Sequence, residues 1–354
     1  MKERIKRLRD KFKELNIDAF LVTKPEKVRY LTGFTGDSGA CLITEKDAYF
    51  ISDPRFTEQA AKEVKNSKII IERMDILEII DRKKLLAGTK RVGLESDVTF
   101  GNYLDICQAF PWISFASAGS LVDQLAAIKD KEEIQKIQKA IKLTEYIFGH
   151  CIIPLIQPGI TESDLAAQIS YFGKKYGAEK DAFDIIVASG IRSALPHGYA
   201  SSKELKEGDL VQFDFGYVVA GYPSDFSRVV VLGEPTDKQR KIHKIVLTAQ
   251  EMVIKAARPG MKCEDLDKVA RDYLKNMGYD LPHSLGHGLG IMVHSAPRVG
   301  SDDKTELKPC QVITIEPGIY IPGWGGIRLE DVIVITEKGC KNLTKFSKDL
   351  IVIK

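Results

Sequence analysis

The sequence predicts two domains, an α/β domain over residues 1–124 followed by an α+β domain over residues 125–354. The chain has 354 residues, and at roughly 100–200 residues per domain this length suggests two. Strand-like and helix-like patterns alternate up to residue 124, which is typical of an α/β domain. From Lys129 onward, helices and mostly antiparallel strands come in blocks. This arrangement indicates an α+β domain.

The elements of the first domain follow from the spacing of apolar residues. Ile5, Leu8, Phe12 and Leu15 recur at spacings of three and four, which predicts one face of a helix. Further helical patterns cover Ile76–Ile80 and Phe100–Ala109. Short apolar runs predict strands, and Glu45-Lys46-Asp47 between two of them indicates a hairpin. The predicted strands are Ala19–Val22, Ala40–Ile43, Ala48–Ser52, Ile69–Ile71, Val92–Leu94 and Ile113–Phe115.

The second domain carries clear signals for the starts of helices. Ile134, Ile137 and Ile141 mark one long helix. Thr161 with Asp164, and Thr236 with Gln239, resemble capping boxes that open two more. The predicted strands are Asp184–Ser189, Leu210–Phe215, Phe226–Leu232, Val312–Glu316 and Arg328–Ile335.

Composition excludes several classes of protein. The chain is 44% hydrophobic and 29% charged with a net charge of +3, so wholesale disorder is excluded and neither a nucleic-acid nor a membrane partner is expected. No apolar run approaches the roughly 18 residues of a membrane-spanning helix. The charged N-terminal stretch lacks the apolar core of a signal peptide, so we expect a cytoplasmic protein. The six cysteines are scattered without a Cys-x-x-Cys pair, which favours reduced thiols.

Acidic residues occur inside or at the ends of apolar strands in the second half. Alternation along Leu210–Phe215 places Asp214 on a polar face. If the following turn is centred on Val219-Ala220, Asp225 lies directly opposite Asp214, with Cβ atoms about 4.5–5.5 Å apart. Two such carboxylates repel unless a proton or a cation lies between them. For this pair alone, two solvated acids at a strand edge remain an equal alternative.

Two more carboxylates repeat the pattern downstream. Glu316 ends an apolar strand, and Glu330 shares a strand face with Arg328. Arg328 can neutralise one of these acids but not four. His287 lies in the glycine-rich stretch Gly286–Gly290, and neutral imidazole is a common ligand of divalent ions. Four carboxylates and one imidazole suit Mn, Co, Fe or Zn, and two cations about 3.5–4 Å apart would balance the charge. The residues therefore indicate a dinuclear hydrolase.

The order of these residues resembles a known superfamily. Asp214, Asp225, His287, Glu316 and Glu330, with gaps of 11, 62, 29 and 14, resemble the ligands of the creatinase/methionine aminopeptidase superfamily. The match is to its proline-specific branch, aminopeptidase P and prolidase. It extends over nearly the whole chain, through the strings Tyr30-Leu-Thr-Gly-Phe34, Ser52-Asp-Pro-Arg55, Ala194-Leu-Pro-His197, Asp214-Phe-Gly216, Gly221-Tyr-Pro-Ser-Asp225, Gly286-His-Gly288, Ile315-Glu-Pro-Gly318 and Arg328-Leu-Glu-Asp331.

The resemblance implies a creatinase-like N-terminal domain, a "pita-bread" catalytic domain and two divalent metal ions, with Mn or Co expected and Zn or Fe as alternatives. Asp214 would bind one metal, Asp225 and Glu330 would bridge both, and His287 and Glu316 would complete the second. Glu316 would also transfer a proton. The remaining roles also follow from matching positions: His197 and His294 as catalytic pocket histidines, and His283, Arg298 and Arg328 as substrate-binding residues. The family also implies a homodimer.

The activity implied is hydrolysis of the bond before proline by a hydroxide that bridges the two metals. Aminopeptidase P, acting on longer peptides with proline second, is slightly preferred because no insertion obviously closes the prime side of the pocket. Prolidase, acting on dipeptides only, is the alternative, and a non-catalytic scaffold is a third. Two departures from the family pattern concern the pocket: Ser295 replaces a usual Glu, and Ser227 replaces a usual Thr.

Overall fold

The computed structural model describes the whole chain, Met1–Lys354. It divides into two compact units, Met1–Ala126 and Ala127–Lys354. The domain boundary inferred from sequence, after residue 124, lies close to this division.

The first unit is built on a six-stranded sheet with the order β4-β3-β2-β1-β5-β6. The strands β1 to β3 form an antiparallel meander, and the outer pairs β3–β4, β1–β5 and β5–β6 are parallel. The strands are β1 (Ala19–Val22), β2 (Ala40–Thr44), β3 (Ala48–Ser52), β4 (Lys68–Ile71), β5 (Arg91–Leu94) and β6 (Ser114–Ser117). The helices are α1 (Lys2–Arg9), α2 (Phe12–Leu15), α3 (Pro25–Thr32), α4 (Thr57–Glu63), α5 (Ile76–Arg82), α6 (Phe100–Ala109) and α7 (Leu121–Ala127). Strands joined through helices make this an α/β unit, as predicted.

The second unit contains four main helices and fourteen short strands. The helices are α8 (Lys131–Ile147), α9 (Glu162–Lys175), α10 (Asp237–Ala256) and α11 (Cys263–Asn276). The strands are β7 (Lys180–Asp181), β8 (Ile186–Ser189), β9 (Leu210–Asp214), β10 (Tyr217–Val219), β11 (Tyr222–Pro223), β12 (Ser227–Leu232), β13 (Gly286–Gly288), β14 (Ser295–Val299), β15 (Val312–Ile315), β16 (Gly318–Ile321), β17 (Gly325–Arg328), β18 (Asp331–Ile335), β19 (Cys340–Asn342) and β20 (Ile351–Ile353).

Two sheets of the second unit position the polar residues singled out above. One has the order β20-β12-β9-β8 and the other β14-β13-β15-β18-β19. Both predicted capping boxes are present. The side chains of Thr161 and Thr236 each accept a hydrogen bond from the backbone N–H three residues on, and the backbone N–H of each threonine donates to the side chain of that same residue. These caps satisfy backbone donors that the first helical turn would otherwise leave unpaired.

The predicted register of the first acidic hairpin is wrong. The two-residue turn lies at Ala220-Gly221, between the paired residues Val219 and Tyr222, with φ of 50° and 79°, as a tight hairpin turn requires. This is one residue later than predicted. Asp214 therefore lies opposite Ser227, and Asp225 is its diagonal neighbour. Because the shift equals two residues, both carboxylates still share one face.

The predicted strand Arg328–Ile335 is two strands. β17 ends at Arg328, and β18 begins at Asp331. The segment that pairs with these two strands is interrupted at the same level, between Ile315 and Gly318. Pro317 lies in this gap, and a proline cannot donate to a strand ladder. The interruption leaves Glu316 and Glu330 at matching positions outside the strands.

None of the helices combines the length and apolar character needed to cross a membrane. All six cysteines are free thiols, as the sequence predicted.

Candidate active site

A cavity in the second unit, about 610 Å³ in volume, is lined by most of the predicted site residues. Its wall includes Asp214, Asp225, His287 and Glu316, as well as His197, His283, His294, Arg298 and Arg328. Glu330, almost fully buried, lies behind this wall. The structure therefore brings together residues from five separate segments of the chain.

His287 presents one ring nitrogen to the carboxylates. Its Nδ1 donates to the Gly288 carbonyl at 3.1 Å, so Nε2 is left to face Asp225 Oδ2 at 3.4 Å and Glu316 Oε1 at 3.5 Å. Such an arrangement fixes the tautomer that a metal-binding histidine uses. Gly286 and Gly288 are necessary here, since a Cβ would come within 2.1 Å of Thr314 O and 2.2 Å of Ala296 O respectively.

The cluster fits a divalent cation. Ligand atoms of Asp225, His287 and Glu330 all lie within 4.8 Å of one another. Asp214 Oδ1 and Glu330 Oε1 are buried without a hydrogen-bond partner. Buried carboxylate oxygens are normally paired or bound to a metal. These two orphaned oxygens therefore indicate that the site is completed by cations, which carboxylate and imidazole ligands suit.

The electrostatics of the carboxylates agree with this conclusion. Burial raises the pKa of Glu316 to about 7. Burial and the Asp225 charge raise the pKa of Glu330 well above its ordinary value. Burial also raises the pKa of Asp214, although the Arg328 charge opposes it. These groups resist ionisation together, and a cation among them would restore their charged forms.

The pKa values of three histidines in the cavity are shifted in opposite directions. Burial disfavours the protonated form of His287, but the Asp225 hydrogen bond and the Glu316 charge outweigh it and raise the pKa to about 9. Burial lowers the pKa of His283 to about 4, and burial with the His287 charge lowers the pKa of His294. The His294 and His287 rings meet edge-on, with centroids 4.4 Å apart. His283 and His294 are therefore neutral groups beside the cluster at neutral pH.

Arg328 lies in the cavity wall with most of its donors engaged by the protein. It donates to Asp214 Oδ2, to Ser227 Oγ at 3.0 Å, to Pro196 O at 3.0 Å and to the Tyr320 hydroxyl at 2.8 Å. The side chain is almost fully buried. These contacts let Arg328 hold Asp214 in place, and few of its donors remain for a substrate.

Arg298 is different, because its guanidinium group is half exposed at the cavity wall. It pairs with Asp302 and donates to Ser284 Oγ at 3.3 Å. Surface pairs of this kind are weak, so the guanidinium remains available to a carboxylate in the cavity.

Three residues that hold site residues in place were not predicted from the sequence. Thr314 Oγ1 accepts from His287 N at 3.0 Å and lies 3.3 Å from Glu316 Oε1. Arg228 is fully buried, pairs with Asp331 at 2.9 Å and donates to the Glu330 carbonyl. Tyr320 bonds to His283 Nε2 at 3.0 Å. Only Arg228 could have been noticed in the sequence, because it is a charged residue directly before the aliphatic run Val229–Leu232.

Comparison with known proteins assigns the family. The family model of metallopeptidase family M24 matches residues 135–337, and that of the creatinase/prolidase N-terminal domain matches residues 4–128. The Xaa-Pro dipeptidase of Pyrococcus furiosus is 40% identical over 353 residues, covering 99% of this chain and 100% of that protein. The chain therefore belongs to metallopeptidase family M24. It is a metal-dependent hydrolase.

Solved structures agree over the whole chain. An Xaa-Pro dipeptidase from Bacillus anthracis matches with a TM-score of 0.95 and 40% identity, covering 99% of both chains. An X-Pro aminopeptidase from Thermotoga maritima matches with a TM-score of 0.89 and 37% identity, covering 97% of this chain and 100% of that one. The predicted creatinase-like domain followed by a pita-bread catalytic domain is confirmed.

Proposed function

We propose that this protein is an Xaa-Pro dipeptidase, a prolidase that hydrolyses the bond before a C-terminal proline. This differs from the sequence analysis, which preferred the aminopeptidase and kept the dipeptidase as its alternative. Relatives named as Xaa-Pro dipeptidases or prolidases, at 38–40% identity, favour the dipeptidase. The aminopeptidase remains the second candidate because a relative of that name is 37% identical.

One observation supports the proposal above all others. The same cavity contains the carboxylate–histidine cluster and, on its wall, the half-exposed Arg298. A dipeptide ends in a free carboxylate one residue beyond the bond to be cleaved. A guanidinium group recognises a carboxylate well, since its planar fork can donate two parallel hydrogen bonds. Arg298 would therefore bind the end of a dipeptide while the scissile bond lies at the cluster.

We further propose that Asp214, Asp225, His287, Glu316 and Glu330 hold two divalent cations, with Mn or Co expected. The four carboxylates carry more negative charge than Arg328 can balance, and two cations would compensate for it. Bound cations would supply Lewis-acid polarisation of the scissile carbonyl and lower the pKa of the attacking water.

The protein's own residues then orient the peptide and move protons. Glu316 Oε1, which faces the cavity, would accept the proton of the attacking water and return it to the leaving proline nitrogen. His197 and His294 lie at the cavity wall, where a ring N–H can donate to the carbonyl oxygen as it gains negative charge. These roles assign general acid–base work to one carboxyl group and oxyanion stabilisation to two imidazoles.

Hydrolysis of Ala-Pro beside Ala-Pro-Ala tests the proposal. Metal-stripped protein is given Mn or Co, its metal content is measured, and release of alanine is followed. Cleavage of Ala-Pro alone is the expected result. Cleavage of both peptides would make the protein an aminopeptidase. Cleavage of neither, with metal verified as bound, would favour the non-catalytic scaffold.

A further inference from the structure

Asp184 is the one carboxylate of the cavity wall that stands apart from the cluster. It lines the same cavity as Asp214, Asp225 and Glu316, but it is exposed. Its carboxylate accepts no hydrogen bond and pairs with no cation within the chain. An exposed acid on a protein surface needs no explanation, whereas an unpaired acid inside a substrate cavity contributes a negative charge to whatever binds there.

Asp184 lies in the connection between β7 and β8, which belong to two different sheets. Asp181 pairs with Tyr217, and Ile186 pairs with Asp214. The five steps from Asp181 to Ile186 therefore match only three steps from Asp214 to Tyr217, so the connection contains two extra residues. Asp184 is two residues from Ile186, and so within about 7 Å of it along the chain. This connection brings Asp184 to the cavity wall.

The cavity that Asp184 lines also has apolar and aromatic wall residues. They include Phe183, Ile186, Tyr199 and Val293. Lysine and arginine side chains combine a long apolar stem with a charged end and place each part in the matching environment. An apolar wall followed by an unpaired carboxylate matches that combination in a substrate.

We propose that Asp184 is a specificity-determining residue that pairs with the positively charged side chain of a lysine or arginine preceding proline in the substrate. This inference rests on the proposed Xaa-Pro activity and deepens it. Arg298 would bind the substrate carboxylate, and Asp184 would bind a cation at the other end of the peptide. The same charge would repel a glutamate or aspartate at that position.

The α-ammonium group of the substrate is a poorer partner for Asp184. It is attached to the carbon next to the scissile carbonyl, so it must lie close to the cluster, beside Asp214, Asp225 and Glu316. Asp184 lies two residues before Ile186, the residue that pairs with Asp214. The flexible four-carbon stem of lysine can reach that position, while the α-ammonium cannot leave the reacting bond.

The test compares kcat/KM for Lys-Pro, Leu-Pro and Glu-Pro in the metal-loaded wild-type enzyme and in variants. Asp184→Asn keeps the shape and removes the charge. We expect the Lys-Pro to Leu-Pro ratio to fall about three- to fivefold, the range that an exposed ion pair supports. Asp184→Lys should reverse the preference and favour Glu-Pro over Lys-Pro. The wild-type ratio should also fall as salt is raised, since exposed charges are screened.

Asp105→Asn is the matched control. Asp105 is an exposed aspartate of α6, outside the cavity, so this variant has the same net charge as Asp184→Asn. Its Lys-Pro to Leu-Pro ratio should equal that of the wild type. If Asp184→Asn and Asp184→Lys both keep the wild-type ratio while Leu-Pro is cleaved, the role of Asp184 is overturned and the proposed function stands. If Asp184→Asn lowers kcat/KM for all three dipeptides equally, the Asp184 carboxylate binds the α-ammonium group instead, and the proposed contact with the substrate side chain is wrong. Failure of the wild type on every Xaa-Pro dipeptide would overturn both.

Discussion

Asp225→Asn removes one charge from the proposed metal cluster with little change of shape. Asp225 is only 5% exposed, and its Oδ2 lies 3.4 Å from His287 Nε2. The amide is isosteric with the carboxylate, so the variant tests charge rather than packing. If Asp225 is a metal ligand, the variant should lose metal and activity together.

The size of the effect follows from the spacing of the cluster. Ligand atoms of Asp225, His287 and Glu330 lie within 4.8 Å of one another. At roughly 4 Å and an effective dielectric constant of about 20, one pair of unit charges is worth about 4 kcal/mol. Loss of that attraction corresponds to roughly a thousandfold weaker binding of a cation. We therefore expect fewer than two divalent ions per chain and a loss of Ala-Pro hydrolysis of at least about a hundredfold.

The assay combines metal analysis after dialysis with Ala-Pro hydrolysis. Asp181→Asn serves as the control, because Asp181 lies outside the cluster and accepts from Ser170 Oγ at 2.5 Å. A metal-free readout is available as well. The hydrogen bond that the Asp225 carboxylate accepts from His287 helps to raise the pKa of His287 to about 9, so NMR titration of the stripped variant should give a lower value. Wild-type turnover with two metals retained would refute the ligand assignment.

Two further predictions concern pH and assembly. Burial lowers the pKa of His283 from 6.5 to about 4, so the unfolded chain takes up a proton that the folded state resists. The free energy of unfolding should therefore fall by roughly 3 kcal/mol as the pH is lowered from 6.5 to 4. Urea unfolding of metal-stripped His283→Gln should lack this part of the pH dependence, and an identical dependence in both proteins would contradict the assignment. The homodimer implied by the family resemblance should show twice the chain mass of 39.5 kDa in light scattering, and a particle of one chain mass would show that prediction to be wrong.

Local patterns were sufficient to predict most elements. The capping boxes at Thr161 and Thr236 depend on side chains three residues apart, and both formed as predicted. The short strands of the first unit follow from apolar runs, and the sheet buries most residues of β1, β2, β3 and β5. These signals are local, so the rest of the chain has little power to change them.

The exact position of the turn between Asp214 and Asp225 could not be predicted from the sequence. Asp214 and Asp225 were expected directly opposite each other, but the positive φ values fall at Ala220 and Gly221. Glycine favours that conformation, while alanine adopts it only when the surrounding pairing imposes it. The composition of the turn therefore allowed either centre. Pairing of β9 with β12 along five residue pairs decided between them.

Features that depend on contacts between distant segments were beyond the sequence. The role of Thr314 requires β13 and β15 to be neighbours. The place of Asp184 depends on two registers, those of β7 with β10 and of β8 with β9. No spacing within one segment encodes either fact.

The two acidic hairpins share one arrangement, and this arrangement explains where the four acidic residues of the site lie. In each hairpin an acid lies at the end of a strand (Asp214) or directly after it (Glu316), and a glycine follows two residues later. A short second hairpin then returns the chain to another acid, Asp225 or Glu330, just before a buried strand begins. Each break ends the regular pairing at the acid or beside it, because Asp214 is the last paired residue of β9 and Glu316 follows the last residue of β15. The carboxylates of both hairpins can therefore turn toward a common centre. Burial of four acids is unfavourable by itself, so positive charge at that centre would stabilise this arrangement. The breaks at Gly216 and at Pro317 therefore belong to the site as much as its acidic residues do.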